Sequence, residues 1–291
     1  MSYMTTTFPI HRLVADTAST VTDRLATEEP LEIRLVFGPE AHRRTQKIAV
    51  TMRTPGHDAA LAVGFLWTEG ILRDPAHVHD VQHVTRCRPE ATGNIIEVAL
   101  QPAAPVDLKT LHRNFYMSSS CGVCGKASME AVRVAPAQAL PPPAPLLDAA
   151  TLYTLPERLR AHQAVFEQTG GLHAAAIFTP QGELRYCRED VGRHNALDKV
   201  IGEAVRAGAL PLRDAVLLVS GRASFELVQK ALLAGIPCLA AVGAPSSLAV
   251  QLARQHGLTL IGFLRGERAN VYTEAARIGG TPAAPAAGEK P

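Results

Sequence analysis

The stretch AVLLVSGRASFELVQKALLAGIPCLAAVGAPSSLAVQLARQHGLTLIGFL, residues 215–264, decides the fold. Its apolar runs at 215–219, 238–242 and 259–264 are short and bounded by glycine, proline or serine, which marks buried strands. Between them, 224–234 and 247–255 carry apolar residues at helical spacing, each entered through a serine that can cap a helix. Strand and helix alternate, so the expected unit is an α/β domain with a mostly parallel sheet. Upstream, 174–179 and 183–188 read as strands around a turn at 180–182, and a helix follows from about 193 to 207.

Further toward the N-terminus the pattern changes. Runs rich in β-branched residues at 31–37, 48–53, 78–84 and 94–100 accompany a single helix at 59–68, which predicts a small α+β domain over 1–133. The segment VAPAQALPPPAP lies within a proline- and alanine-rich linker at 134–147. The α/β domain then occupies 148–279, and a tail of the same composition as the linker, 280–291, is expected to be disordered. At 291 residues with 47% hydrophobic side chains, two such domains can each bury a core.

A net charge of +2 gives no chain-wide electrostatic case for nucleic acid or for a membrane surface, so an anionic ligand has to be met locally. The uncharged stretch 231–250 is cut by Gly235, Pro237, Gly243 and Pro245 and reads as core, not as a membrane span. The first residues carry no signal-peptide pattern, and the five cysteines are an odd count with only two close together; both features predict a reducing cytoplasm.

Those two are Cys121 and Cys124, in SSSCGVCGKASME. Serines and glycines predict an exposed loop, and a following helix start together with Lys126 favours the thiolate form. Such a thiolate can attack the outer sulfur of a donor persulfide by thiol exchange. C-x-x-C is also half of many zinc sites and the core of thioredoxin-like dithiols. Cys87, Cys187 and Cys238 are scattered singly, so no structural zinc is predicted. The dithiol reading stays open.

In the α/β half, strand and helix ends are punctuated by glycine beside a cation or hydroxyl: Gly171 and His173; Gly192, Arg193 and His194; Ser220, Gly221 and Arg222; then 243–247 and 265–268. Glycine admits a ligand to the backbone, helix N-termini favour negative charge, and arginine grips phosphate through paired hydrogen bonds. Ligands of open α/β sheets bind at such strand ends. The repetition predicts a phosphorylated ligand of some size. Spacing of four makes His194 and Asp198, and Asn195 and Lys199, neighbours on a helix surface. A hydrolase triad on Ser220 lacks its G-x-S-x-G elbow, and the zinc-deaminase ligand pattern is missing after His173 and Pro237.

CGVCGKAS, TGGLHAAA, EDVGRHNALDKVIG, SGRASFELVQKA, GAPSSLAVQLA, GFLRGERANVY and TPGHDAALAVGFLWTEGIL together resemble the signatures of the formate dehydrogenase accessory sulfurtransferases (FdhD). The resemblance implies a cytoplasmic sulfur carrier. It would take persulfide sulfur from a cysteine desulfurase and pass it to the molybdenum of the bis(molybdopterin guanine dinucleotide) cofactor, its bound cargo, before the cofactor enters formate dehydrogenase. It further implies Cys121 as the persulfide residue, Cys124 as its accessory partner, and Phe263, Leu264, Arg265, Gly266, Glu267 and Arg268 as a cofactor-binding segment. A cytidine-deaminase-like C-terminal fold and a homodimer are also implied. Two other activities fit the same residues: a cofactor chaperone without sulfur chemistry, and a dithiol oxidoreductase.

Overall fold

A computed structural model of the chain describes residues 3–84, 93–106 and 139–280. Cys87, Cys121, Cys124, most of the tail and the first part of the linker lie outside the described residues. The C-terminal half is a six-stranded sheet of β8 (His173–Phe178), β9 (Leu184–Asp190), β10 (Val216–Val219), β11 (Cys238–Ala241), β12 (Thr259–Arg265) and β13 (Arg268–Thr273), in the order β13-β12-β11-β10-β8-β9. Before it come a two-stranded ribbon of β1 (Thr5–Val14) and β2 (Thr17–Ala26), and a four-stranded sheet of β3 (Glu29–Phe37), β4 (Arg44–Arg53), β5 (Val78–His83) and β6 (Ile95–Leu100), in the order β4-β3-β6-β5. Short strands β7 (Leu147–Asp148) and β14 (Ile278–Gly279) pair at the far end of the linker. The helices are α1 (Asp58–Thr68), α2 (Ala149–Arg160), α3 (Ala164–Thr169), α4 (Arg193–Arg206), α5 (Phe225–Leu233) and α6 (Ser247–His256).

The expected mostly parallel sheet is corrected to a mixed one. β10 to β11 and β11 to β12 run parallel, but β8 with β9, β8 with β10, and β12 with β13 are antiparallel. Parallel neighbours need a long crossover, which α5 and α6 supply. Tight turns at 179–183 and around Gly266 instead fold β8 onto β9 and β12 onto β13.

The two halves share one core. α1 and α4 are buried nearly all round, as helices enclosed by other elements must be. They cross at Gly64 and Gly202, where the backbones touch: a Cβ on Gly64 would lie 1.8 Å from the Asp198 carbonyl oxygen, and one on Gly202 would lie 1.8 Å from that of Ala60. Leu61 and Leu66 of α1, Val200 and Ile201 of α4, and Leu217 and Leu239 of the sheet join one apolar cluster. At about 1.5–3 kcal/mol per buried aliphatic side chain, this cluster is the main adhesive between the halves. The opposite sheet face packs Phe178, Leu218, Ile261 and Leu264 against Leu152, Leu155 and Leu159 of α2. The sheet is thus covered on both faces, leaving its strand ends as the place for a ligand.

Candidate functional site

One edge of the six-stranded sheet collects the glycine turns. The carboxyl ends of β9, β10, β11 and β12 and the start of β8 all lie there, with His173 opposite Asp190 across the β8–β9 pair. Beyond the strands the turns continue the ladder. The Gly243 amide donates to the Gly221 carbonyl at 3.0 Å, and the Phe263 amide donates to the Gly243 carbonyl at 3.1 Å. The Ser220 amide donates to the Ala174 carbonyl, while the Ala174 amide donates to Ser220 Oγ at 2.8 Å. Two glycines are required by crowding: a Cβ on Gly262 would sit 2.7 Å from Pro245 Cδ, and one on Gly243 would sit 3.0 Å from the Gly221 oxygen. Phe263 follows with φ +54°, a left-handed backbone rare outside glycine, which turns its side chain out to solvent.

Three helices begin at this edge. Ser224 and Ser246 cap α5 and α6 through their hydroxyls, whereas the N-cap of α4 is Gly192, which has no side chain to cap with. Arg193 lies in the first turn of α4 with its Nε buried and no hydrogen-bond partner among the described residues. Arg222, Arg265 and Arg268 are exposed, as is Glu267 at the tip of the β12–β13 hairpin. His173 is half-buried; its pKa is lowered by burial and then by Arg193, against the opposing pull of Asp190, so it is neutral at pH 7. Leu264 is fully buried in the core on the α2 side, so its side chain cannot contribute to a site at this edge.

Beneath the edge lies a polar network that ties it to the N-terminal half. Asp190 and Lys199 are both fully buried and 2.7 Å apart. Asp190 also accepts from the Thr54 amide at 3.2 Å, the Gly192 amide at 2.9 Å and Asn195 Nδ2 at 3.1 Å. Lys199 donates to the Thr54 carbonyl at 2.8 Å, and Asn195 Nδ2 to that of Met52 at 2.7 Å. The i, i+4 pairs expected on the surface of α4 are therefore buried, one against Asp190 and the other against α5. Helical spacing reports adjacency, not exposure. Ser220 does not join a triad: its Oγ is occupied by the Ala174 amide, and His194 Nε2 faces Ser224 and Glu226 instead.

Neither described cysteine is disposed to react. Burial, with Glu189 adding to it, pushes the Cys187 thiol up to about 11, and burial pushes Cys238 up to about 12. Thiolate chemistry needs the opposite shift. Among the described residues no cluster of three or more His, Cys, Asp or Glu could hold a metal ion, and no helix is long and apolar enough to cross a membrane.

A proteins-family model described as the FdhD/NarQ family matches residues 26–279. A protein of Streptomyces avermitilis named sulfur carrier protein FdhD is 53% identical over 263 residues, covering 89% of this chain and 90% of its own. A protein of the same name from Mycobacterium tuberculosis is 50% identical over 286 residues, covering 96% and 100%. A crystal structure of a formate dehydrogenase accessory protein from Desulfotalea psychrophila superposes with a TM-score of 0.71 over 94% of this chain and 99% of that one, at 22% identity, a likeness of fold. Family model and relatives span both halves of the molecule, and the chain belongs to the FdhD/NarQ family.

Proposed function

We propose that this protein is a cytoplasmic sulfur carrier that holds sulfur as a persulfide on Cys121, acts as a homodimer, and serves a formate dehydrogenase. The observation that carries the reading is the membership of the chain, at about half identity over most of its length, in a family whose relatives are named sulfur carriers. The raised thiols of Cys187 and Cys238 support it by setting aside two of the five cysteines as poor nucleophiles. In loading, the Cys121 thiolate attacks the outer sulfur of a persulfide on a cysteine desulfurase; a new S–S bond forms, the old one breaks, and the donor leaves as a thiolate. No net oxidation occurs. Attack of the Cys124 thiolate on Cys121 Sγ would instead make a disulfide and release the outer sulfur as HS⁻. Delivery therefore requires that the acceptor meet the outer sulfur before Cys124 meets the inner one.

The acceptor in this reading is the molybdenum of bis(molybdopterin guanine dinucleotide), held as cargo by its nucleotide ends. The uncapped start of α4, the buried Nε of Arg193 and the exposed Arg222, Arg265 and Arg268 support an anionic ligand at the sheet edge. Alanine at Arg193 or Arg222 is expected to weaken binding of the cofactor, or of GDP as its fragment, by about tenfold or more while sulfur loading persists. Intact mass spectrometry after incubation with a cysteine desulfurase and cysteine tests the carrier itself. The expected result is a reducible gain of one sulfur that Cys121→Ala abolishes and Cys124→Ala does not. Absence of that gain in the wild type, with an active desulfurase, would sink the sulfur-carrier reading in favour of a cofactor chaperone.

A further inference from the structure

The end of β4 reaches from the N-terminal half into the turn that opens α4. β4 is the edge of its sheet, so its outward amides and carbonyls have no ladder partner and must find one elsewhere. Thr54, just past the strand, spends three groups on that turn. Its amide donates to Asp190 Oδ2 at 3.2 Å, its hydroxyl accepts from the Val191 amide at 3.3 Å, and its carbonyl accepts from Lys199 Nζ at 2.8 Å. Upstream, Thr51 Oγ1 donates to Asn195 Oδ1 at 3.1 Å, and Asn195 Nδ2 donates to the Met52 carbonyl at 2.7 Å. Asp190 Oδ1 closes the turn from within the α/β half, accepting from the Gly192 amide and from Asn195 Nδ2. Gly192 is fitted closely between them: a Cβ there would lie 3.1 Å from Asn195 Nδ2 and 3.5 Å from Asp190 Oδ1.

Residues 190, 191, 192 and 195 are thus each held by hydrogen bonds, and Arg193 sits in their midst. Its buried Nε has no hydrogen-bond partner among the described residues, so its place is imposed by the fixed residues on either side. Its charge reaches His173, and the His173 ring packs on Gly221, where a Cβ would lie 3.4 Å from Nδ1. Arg193 therefore stands among the glycine turns of the sheet edge. We infer that Thr54 and Thr51 are positioning residues for the anion site: the end of β4 templates the 190–195 turn and so sets where Arg193 meets a phosphate. The inference rests on the reading of this edge as a phosphate-binding site and adds residues of the N-terminal half that set its geometry. Two parallel N–H···O bonds to a phosphate need both donors aimed at once, so holding the turn in place before the ligand arrives favours binding. Asp190 does not do this alone, because it is itself held by the Thr54 amide and by Lys199 at 2.7 Å, whose ammonium also donates to Thr54.

The test compares GDP affinity, by calorimetry on the full chain, in wild type, Thr54→Val, Thr54→Ser and Thr68→Val. Valine keeps the β-branched shape ahead of Pro55 but leaves the Val191 amide without its acceptor, and serine restores it. Thr68 is the matched control: it is equally buried and its hydroxyl also joins the halves, but at Lys230 and Asp198, away from the turn. Thr54→Val is expected to weaken GDP binding about tenfold, Thr54→Ser to hold it within about threefold, and Thr68→Val to leave it unchanged despite lost stability. Equal weakening by Thr54→Val and Thr68→Val would make Thr54 a general brace and overturn the inference. So would wild-type affinity in Thr54→Val. If Thr54→Val does not fold, Thr51→Val removes the donation to Asn195 at a half-buried position; a loss of about threefold is expected, and wild-type affinity there overturns the inference. Hydrogen exchange is the second arm and needs no ligand. Relative to the amides of β10, those of Val191 and Gly192 are expected to exchange about tenfold faster in Thr54→Val and at the wild-type ratio in Thr68→Val. An unchanged ratio in Thr54→Val overturns the inference whatever GDP does. If wild type binds no GDP, the cofactor site and the anion role fall together, and the exchange ratio alone decides whether β4 sets the turn.

Discussion

Two buried lysines flank helix α4, and their surroundings differ. Lys199 points toward the sheet edge, meets the single carboxylate of Asp190 and satisfies its remaining donors on the Thr54 and Glu189 carbonyls. Lys230 approaches from α5 and meets three carboxylates and the Thr68 hydroxyl. Burial works against the charge of Lys230, but Asp198, Glu69 and Glu226 together hold its pKa above the ordinary lysine value. Both lysines reach across to the N-terminal half, one at Thr54 and the other at Thr68. The first is a closed pair that fixes geometry. The second gathers three buried carboxylates around one ammonium.

The largest effect should come from breaking what both clusters share, the contact of α1 with α4. At Gly202 a Cβ would meet the Ala60 carbonyl oxygen at 1.8 Å, and the obstacle is backbone, which cannot swing aside. Gly202→Ala is expected to cost more than about 4 kcal/mol, beyond the usual range for a point substitution, and to abolish the cooperative urea transition followed by circular dichroism. Gly208→Ala has open space around it and strains only a backbone at φ +64°, so about 1–2 kcal/mol is expected there. Similar losses at the two positions would mean that the halves do not depend on close backbone approach.

Lys199→Met and Lys230→Met separate the clusters themselves. Each leaves buried carboxylate without its ammonium, at a cost of about 3–5 kcal/mol at neutral pH. Their pH dependence should differ. Stranded carboxylates have folded-state pKa values raised above the unfolded ones, so stability is fully present below the unfolded values near about 4 and is lost as pH rises through the raised ones. Lys199→Met strands one carboxylate, so its slope is limited to about 1.4 kcal/mol per pH unit. Lys230→Met withdraws the ammonium from three and should fall more steeply between about pH 5 and 7, the region above the ordinary carboxylate values. Urea unfolding of both variants across that range checks this. Equal slopes would erase the distinction between an ammonium that meets one carboxylate and one that meets three.

The residues behind these effects show how far sequence reading reaches. The alternation from β10 to β12 was legible because each strand is an unbroken apolar run and α5 and α6 open on capping serines, Ser224 and Ser246. Strand direction was not legible. β8 and β10 are buried on both faces and look alike in sequence whichever way their neighbours run. The ribbon of β1 and β2 escaped notice because it packs almost no core: threonine, arginine and aspartate interrupt its apolar residues, and Arg24 to Gln168 is one of its few ties to the rest. That the glycine turns gather at strand ends is legible, since strands that alternate with helices bring their ends together. The network below them was not, because Thr54 finds Asp190, and Thr68 finds Lys230, only through the tertiary fold. Pattern reports local adjacency, and these contacts join residues more than 130 apart.

The smallest effect is expected where an ion pair has good geometry but no burial. Arg185 Nη1 and Nη2 meet Asp214 Oδ1 and Oδ2 at 3.1 and 2.6 Å, a two-point contact closer than the 3.9 Å contact of Lys230 with Glu226. The hydrogen bond from Arg185 outweighs burial and holds the Asp214 carboxyl below the ordinary aspartate value. Its stabilisation is therefore present above the unfolded aspartate pKa, about 3.9, and is lost as pH falls through the lower folded one. Yet the side chains are 33% and 62% exposed, so water and salt screen the attraction. Asp214→Asn should cost less than about 1 kcal/mol, and still less in high salt. A loss matching that of Lys199→Met would show that geometry alone sets the strength of these pairs. A loss within the surface range would leave burial as the property that lets Lys199 and Lys230 lock the halves together.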